Sequence, residues 1–308
     1  MIGRYVLART WQGVVVVFGA VVISFVLTNL IGSPADVIGG PSMTPDQRQA
    51  LNAQFGYGKP VAERFIGYVG GLFHGDFGVS YRTNQGALGQ VLNALPNTLI
   101  LVLLALAVAV ALALPMAIFS VRHRASRADN FIRRTIGILQ GMPEFWLALM
   151  VILLLSVRFP LFPSFGFYDA SSLVLPVISI AIPAVPTLFR VFRGHLLDVL
   201  GQEFVESMRA RGVSEAIIVY SHVLRNFLGP SVTFTALQLG YLIGGSMVVE
   251  TIFSWPGIGN LAVSSVQARD FAVVQSIIIV VATFYVILNL CADVVVLIAD
   301  PRIRVGAR

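Results

Sequence analysis

From Asn97 to Ser120 the chain runs without a single charged side chain. That feature narrows the possible folds more than any other. About 20 mostly apolar residues wound as a helix cross the ~30 Å hydrocarbon core of a bilayer. In lipid, a lone segment satisfies its own backbone N–H and C=O groups only as a helix. Five further stretches, 10–31, 137–157, 173–192, 230–252 and 273–298, pass the same test of length and apolarity. The stretch 173–192, the fourth span in chain order, contains Pro176, Pro183 and Pro186. Prolines are tolerated in spans where neighbouring helices satisfy the freed carbonyls, so a kinked helix buried in a bundle is expected there. The whole chain is 56% hydrophobic and 12% charged, against about 25% charged in a soluble domain. The expected fold class is all-α: a polytopic membrane protein with six transmembrane helices and no visible internal repeat.

Basic residues set the expected orientation, because cytoplasmic loops are enriched in Lys and Arg. One side collects Arg4, Arg9, Arg122, Arg124, Arg127, Arg133, Arg134, Arg190, Arg193, Arg209, Arg211, Arg225, Arg302, Arg304 and Arg308, which is 15 of the 21 basic residues. The other side has Arg48, Lys59, Arg64, Arg82, Arg158 and Arg269. Both termini are therefore expected in the cytoplasm. The basic start, Met1 to Arg9, resembles a signal peptide, but the run from Trp11 to Ile31 is long enough to span and ends without a small-x-small cleavage site. It reads as an uncleaved anchor. The net charge of +6 does not point to nucleic acid, since no aromatic–basic cluster or binding motif accompanies it. Arg122-His123-Arg124 and Arg133-Arg134 read as orientation anchors and contacts to membrane lipid headgroups.

Three regions follow: an N-terminal segment with the first span (1–31), an extracytoplasmic segment (32–96) and a five-span core (97–308). The extracytoplasmic segment has structure of its own. Thr44-Pro45-Asp46-Gln47 is a capping box with proline at the first helical position, which predicts a short helix through Asn52. After Lys59-Pro60, Val61, Phe65, Tyr68, Val69 and Leu72 recur at helical spacing. Gly75-Asp76-Phe77-Gly78 punctuates a turn. The segment reads either as a cap packed on the bundle or as part of a docking surface for an external protein.

Between the fourth and fifth spans lies a hairpin, 198–226, built around Glu203-Phe204-Val205-Glu206-Ser207-Met208-Arg209-Ala210-Arg211-Gly212-Val213-Ser214. Glu206, Arg209 and Ala210 fall at i, i+3 and i+4 on one helical face. Phe204, Val205 and Met208 form a neighbouring apolar face. Gly212 supplies a left-handed cap. Ser214 is placed to cap a second helix, with Glu215 in its first turn. The bland reading is a solvated charged loop. A connection this long, with both signs of charge and an apolar face in want of a partner, reads better as a cytoplasmic docking knob for a soluble protein.

Polar residues inside apolar runs are costly unless they face protein or water. Glu144, Gln238, Glu250 and Asp293 are therefore candidates for a translocation path. For Glu144, a structural hydrogen bond to backbone freed near Pro143 stands equally open. Gly240-x-x-x-Gly244 permits a close helix approach. Trp255, at the Pro256-Gly257-Ile258-Gly259 turn, suits the headgroup belt. Catalytic motifs are absent: there is no phosphate-binding Gly-x-x-x-x-Gly-Lys-Ser/Thr loop, no His-Glu-x-x-His and no Gly-x-Ser-x-Gly. His74, His123, His195 and His222 are scattered over both sides and read as surface or packing residues. Cys291 alone makes neither a disulfide nor a metal site within the chain.

Several of these strings together resemble one family. Glu206-Ser207-Met208 followed by Gly212 resembles the EAA loop of bacterial ABC-importer permeases, with both alanines replaced. Met208-Arg209-Ala210-Arg211-Gly212 and His222-Val223-Leu224-Arg225-Asn226 follow its dipeptide/oligopeptide branch. So do Gly75-Asp76-Phe77-Gly78-Val79-Ser80-Tyr81, Leu95-Pro96-Asn97-Thr98-Leu99, Gly141-Met142-Pro143-Glu144-Phe145-Trp146, the Glu250 to Gly259 string and the Asp300-Pro301-Arg302-Ile303-Arg304 tail. The resemblance implies the type I importer permease fold in a bacterial cytoplasmic membrane. It implies a non-catalytic subunit that binds no cofactor itself and works with a homologous second permease, two cytoplasmic ATPase domains carrying ATP and Mg, and an extracytoplasmic substrate-binding protein. It implies that Glu203, Glu206, Ser207, Met208, Arg209, Ala210, Arg211, Gly212 and Val213 couple the chain to an ATPase, and that the solute is a dipeptide or short peptide, or a relative's solute such as nickel or haem. A secondary transporter or channel working without an ATPase would also be polytopic, but would need no cytoplasmic hairpin and would more often show a repeat. A membrane-embedded hydrolase would need a nucleophile–base pair or metal set that is not visible.

Overall fold

The computed structural model describes residues 2–31, 43–54 and 58–299. The Asp300 to Arg304 tail and residues 32–42 of the extracytoplasmic segment lie outside the described residues, as does the side chain of Asp293. Regular structure is helical throughout, apart from one isolated antiparallel bridge between Val79 and Gly86. The helices are α1 (Ile2–Ile31), α2 (Pro45–Gln54), α3 (Val61–Phe73), α4 (Ala87–Arg122), α5 (Arg127–Gln140), α6 (Glu144–Ile152), α7 (Val174–Leu200), α8 (Glu203–Ala210), α9 (Glu215–Ile217), α10 (Leu224–Ile252), α11 (Ile258–Gln267) and α12 (Phe271–Ala299). Wider turns with i→i+5 geometry extend α6 over Leu153–Arg158 and fill Ile218–Val223 between α9 and α10.

Among the described residues, five stretches are long and apolar enough to cross a membrane: Leu7–Leu30, Ala87–Arg122, Ala170–Leu200, Glu215–Ile252 and Phe271–Cys291. The expected third span is different. It is a broken pair, α5 and the extended α6, bent by 98° at Gly141-Met142-Pro143. Pro143 has no N–H to donate and biases the residue before it away from the helical region. The residues on both sides of the break are apolar on average despite Gln140 and Glu144, so a hydropathy count sees one segment. The second span starts ten residues earlier than expected, because Pro96 lies inside α4 rather than ending it. Large apolar side chains on α1 and α4, among them Val14, Phe18, Ile23, Leu103 and Leu112, remain exposed. Such a surface belongs to a chain solvated by lipid or covered by partner helices.

The chain divides into two compact units. The first comprises Met1–Pro96 and Leu261–Ile287. In it the Thr44–Gln47 box forms as expected, Thr44 N–H donating to Gln47 Oε1 at 3.0 Å and Gln47 N–H to Thr44 Oγ1 at 3.4 Å. Phe25 of α1 packs edge-on against Phe65 and stacks on Tyr68 of α3. Gln275 donates to Thr28 at 2.6 Å. A Cβ on Gly13 would collide with Val286, so α1 and α12 approach as only glycine allows. The Gly75–Gly78 turn, with φ of +77° and +83° at its two glycines, is tied to the start of α12 through Phe77 and Ser276. Ser80 hydrogen-bonds the buried Asp270 carboxylate.

The second unit comprises Asn97–Asn260 and Leu288–Arg308. At its centre is α7, flanked by α5, α6 and α10. Leu175, Ile180, Val185, Leu188, Phe189, Phe192 and Leu196 bury its apolar faces in one core. That burial is why Pro183 and Pro186 are tolerated inside it. At the end of α4, Asp129 of α5 is 1% exposed. Its carboxylate accepts from the Ser120 hydroxyl and, at 3.2 Å, from Ala125 N–H. Arg193 of α7 donates to Ser120 at 2.8 Å and lies 3.7 Å from Asp129. The tie joins α4, α5 and α7 at the end that carries most of the basic residues.

Candidate functional site

The residues singled out from sequence fall into three places in the second unit. The first is the elbow between α8 and α9. Phe204, Met208 and Val213 are half-buried against the chain's own core, and Val205 is fully buried in it. The apolar face, expected from sequence to want a partner, is therefore satisfied internally. Glu203, Glu206, Ser207, Arg209, Ala210, Arg211 and Gly212 remain exposed. Of the nine predicted coupling residues, Met208 and Val213 anchor the elbow and the other seven are exposed, five of them with polar or charged side chains.

Gly212, at φ +77°, closes α8 as expected. Gly212 N–H bonds Arg209 O at 2.9 Å and Val213 N–H bonds Met208 O at 3.1 Å, the paired reverse bonds of a Schellman motif; Met208 and Val213 both pack against the core beside it. Ser214 has extended backbone at the cap position, but its side chain makes no capping bond. Glu215 does the bracing instead. Its carboxylate takes Arg209 Nε at 2.6 Å and Nη2 at 3.3 Å. That bond holds the Arg209 guanidinium protonated even more firmly than usual. Both partners are exposed, so the pair contributes only about 0.2–1 kcal/mol and chiefly fixes geometry.

The expected second helix of the hairpin is not a separate element. From Glu215 to Ile252 the chain is one continuous helical rod. The signal was present in the sequence: no glycine or proline interrupts Glu215 to Leu228. The elbow's far arm is thus the beginning of a membrane span. His222 is exposed on that arm. His195 of α7 pairs with Ser231 of α10 at 3.1 Å.

The second place is a cavity of about 330 Å³ lined by Leu139, Gln140, Met142, Glu144, Pro183, Ala184, Thr187, Gln238, Tyr241 and Leu242. It collects two of the four path candidates, Glu144 and Gln238. The Glu144 carboxylate sits above Gly245 of α10, where a Cβ would lie 3.6 Å from Oε2. Backbone freed near Pro143 makes no hydrogen bond to it.

The third place is the turn after α10. Glu250 is 0% exposed and sits outside the cavity lining. Its Oε2 accepts from Gly259 N–H at 2.7 Å and Asn260 N–H at 3.3 Å, and its Oε1 accepts from Ser246 at 3.1 Å. Thr98 hydrogen-bonds the same carboxylate and takes Ile258 N–H at 2.8 Å. A Cβ on Gly259 would come 2.5 Å from Met247 Cα, and one on Gly257 2.5 Å from Thr98 Oγ1. The Glu…Pro-Gly-x-Gly string is thus one structural staple that closes α10 onto α11. Trp255 is 1% exposed, not directed to a headgroup belt. Its Nε1–H donates to Asn97 O at 3.1 Å and its ring meets Phe167 edge-on. Gly244 has open space where a Cβ would stand, so within the chain it mediates no close helix approach. Cys291 is exposed. Among the described residues no group of His, Cys, Asp or Glu is arranged to hold a metal ion.

A bundle of apolar helices with a polar cavity beside a broken helix pair, and a braced polar elbow at one end, has the features of a solute permease. Residues 109–305 match the family described as binding-protein-dependent transport system inner membrane component, and the chain belongs to that family. It is 32% identical over 312 residues to the oligopeptide transport system permease protein AppB of Bacillus subtilis (strain 168), covering 97% of this chain and 99% of that protein. It is 33% identical over 330 residues to the probable D,D-dipeptide transport system permease protein DdpB of Escherichia coli (strain K12), covering 97% and 96%. The dipeptide transport system permease protein DppB of the same strain is 29% identical over 337 residues, covering 98% of each. Among solved structures, an inward-facing form of the MetNI methionine ABC transporter matches with a TM-score of 0.60 at 16% identity, over 68% of this chain and 96% of that one. The multi-pass helical fold expected from sequence is thus that of ABC importer permeases.

Proposed function

We propose that this chain is the membrane permease subunit of an ATP-driven importer that moves dipeptides or short peptides from an extracytoplasmic binding protein into the cytoplasm. It pairs with a homologous second permease and with two cytoplasmic ATPase domains, which bind ATP and Mg. The chain itself carries no catalytic group. Both termini and the elbow face the cytoplasm, in keeping with the distribution of arginines. The near-full-length match to named peptide permeases supports the substrate class.

The observation that carries the coupling is the elbow. Its apolar face is locked to the core, its polar face is bare, and its far arm is continuous with a span. Displacement of α8 by a closing ATPase pair passes through the Gly212 turn into the rod from Glu215 to Ile252. That rod carries Gln238 and Tyr241 of the cavity, so the same movement reshapes the cavity walls. Glu144 and Gln238 line the solute's route, and Asp293 is a further candidate along it. Exposed Glu206, Arg209 and Arg211 hold the docked orientation through charge-assisted hydrogen bonds.

The test is reconstitution of the chain with its second permease, ATPases and binding protein in vesicles. Peptide uptake and peptide-stimulated ATP hydrolysis are expected to require the ATPases. Glu206→Ala is expected to reduce the stimulation several-fold while basal hydrolysis by the ATPases persists. Uptake driven without any ATPase would refute the reading in favour of a secondary transporter.

A further inference from the structure

The cavity beside α7 holds one charged group and no opposite charge. Glu144 is the single ionisable carboxylate among its lining residues, and none of them is basic. Neither Glu144 nor Gln238 makes a hydrogen bond or ion pair to another described residue, although Gln238 is only 9% exposed. An unpaired carboxylate in an otherwise apolar span is costly to keep unless something compensates it. Gln140, Thr187, Gln238 and Tyr241 surround the cavity with neutral oxygens that accept hydrogen bonds, and Tyr241 adds an aromatic face that attracts a cation. A primary ammonium has three donors and no acceptor, which suits this set of groups. A volume of about 330 Å³ lies at the small end of ligand pockets and admits a solute of one or two residues. A carboxylate on the solute finds no basic partner there.

We propose that this cavity is a transient station for the primary ammonium group of the transported solute, with Glu144 as its counter-charge. The inference rests on the import function proposed above and sharpens it. The permease selects for a free amino end and is indifferent to the carboxyl end, whatever the binding protein selects. While it is bound there, the solute's ammonium balances the charge that Glu144 otherwise carries without a partner.

The experiment uses vesicles with the complete assembly and its wild-type binding protein. Uptake of three probes, Ala-Ala, Ala-Ala amide and N-acetyl-Ala-Ala, is compared between the wild type, Glu144→Gln and Glu144→Asp. Glu144→Gln is expected to lower the maximal rate for Ala-Ala and for the amide by about tenfold relative to N-acetyl-Ala-Ala, the size of one charge-assisted hydrogen bond. Glu144→Asp is expected to restore part of the difference. The half-saturation concentration, which the binding protein sets, is expected to stay unchanged. Poor folding would scale all three rates together and leave their ratio alone. Should the binding protein refuse the acetylated peptide, the same comparison is made by displacement of labelled Ala-Ala from the purified permease–ATPase assembly. There the amide is expected to compete and N-acetyl-Ala-Ala is not. An unchanged ratio in Glu144→Gln, with robust peptide uptake, overturns the ammonium station and leaves the importer intact. Failure of wild-type vesicles to take up any of the three peptides overturns the peptide-import reading and the station with it.

Discussion

Replacing Glu250 separates two roles that the sequence left together: a carboxylate on the solute's route, or a structural staple. In the structure its two oxygens receive the N–H groups of Gly259 and Asn260 and the hydroxyl of Ser246. Glu250→Ala strands both N–H groups in a region closed to water. Each unsatisfied donor costs about 1–3 kcal/mol, and the vacated space adds about 1 kcal/mol more. Relief from burying a lone charge offsets part of this, which leaves a net loss of about 3–5 kcal/mol. Glu250→Gln retains one amide oxygen for the Gly259 N–H and loses about 1–3 kcal/mol. At roughly 2–4 °C per kcal/mol for a chain of this order of size, the midpoint falls by about 10 °C in the alanine variant and about 5 °C in the glutamine one. Thermal unfolding of the detergent-purified protein, read by its helical circular dichroism, measures both. The order wild type, Gln, Ala is the prediction. An alanine variant as stable as the wild type but dead in uptake would refute the staple and return Glu250 to the solute's route.

The elbow makes a backbone-only prediction, because nothing lies within 4 Å of a Cβ built on Gly212. Its φ of +77° costs a non-glycine residue about 1–2 kcal/mol and excludes proline. Peptide-stimulated ATP hydrolysis should therefore fall in the order Gly, Asn, Ala, Pro, and equal activity across the series would remove the elbow from the coupling path. Asp129→Asn leaves Arg193 without its counter-charge, and is expected to destabilise the purified protein by about 3 kcal/mol; a midpoint within a degree of the wild type contradicts the tie. Trp255→Phe keeps the ring against Phe167 but strands the Asn97 carbonyl, for a loss of about 1–2 kcal/mol in the same melt. Gly259→Ala places a methyl 2.5 Å from the Met247 Cα, and overpacking of that kind costs about 1–3 kcal/mol.

Much of this architecture is legible in the sequence because lipid leaves the backbone few options. Length and apolarity alone located five spans, and Thr44 to Gln47 and Gly212 behaved as local turn chemistry dictates. The departures come where tertiary contacts decide. The same apolar run reads as one span whether or not Pro143 turns it through 98°. Trp255 obeys the interfacial preference of its residue type only until Asn97 and Phe167 enclose it. The Phe204, Val205 and Met208 face is visible as apolar, but whether it meets a partner or the chain's own core depends on helices far away in sequence. Ser214 has the residue type of a cap, yet its side chain makes no capping bond, and the elbow is braced instead by Arg209 on the Glu215 carboxylate. Among the path candidates, spacing could not tell Glu144, facing a cavity, from Glu250, enclosed by backbone donors. The Pro-Gly-x-Gly string six to nine residues after Glu250 was the available clue, since a pair of glycines allows the backbone close enough for its N–H groups to reach a buried carboxylate.

In the proposed assembly the exposed face of α8 meets the ATPase. Cross-linking tests it most directly. Ser207 and Ala210 are exposed on that face, and Cys291, the chain's one cysteine, is first replaced by serine. With cysteine at Ser207 or Ala210, a short bifunctional thiol reagent is predicted to join the chain to an ATPase subunit in the intact assembly, with a yield that changes when ATP binds. Reaction from the extracytoplasmic side only, or a product with the binding protein in place of the ATPase, would contradict the account.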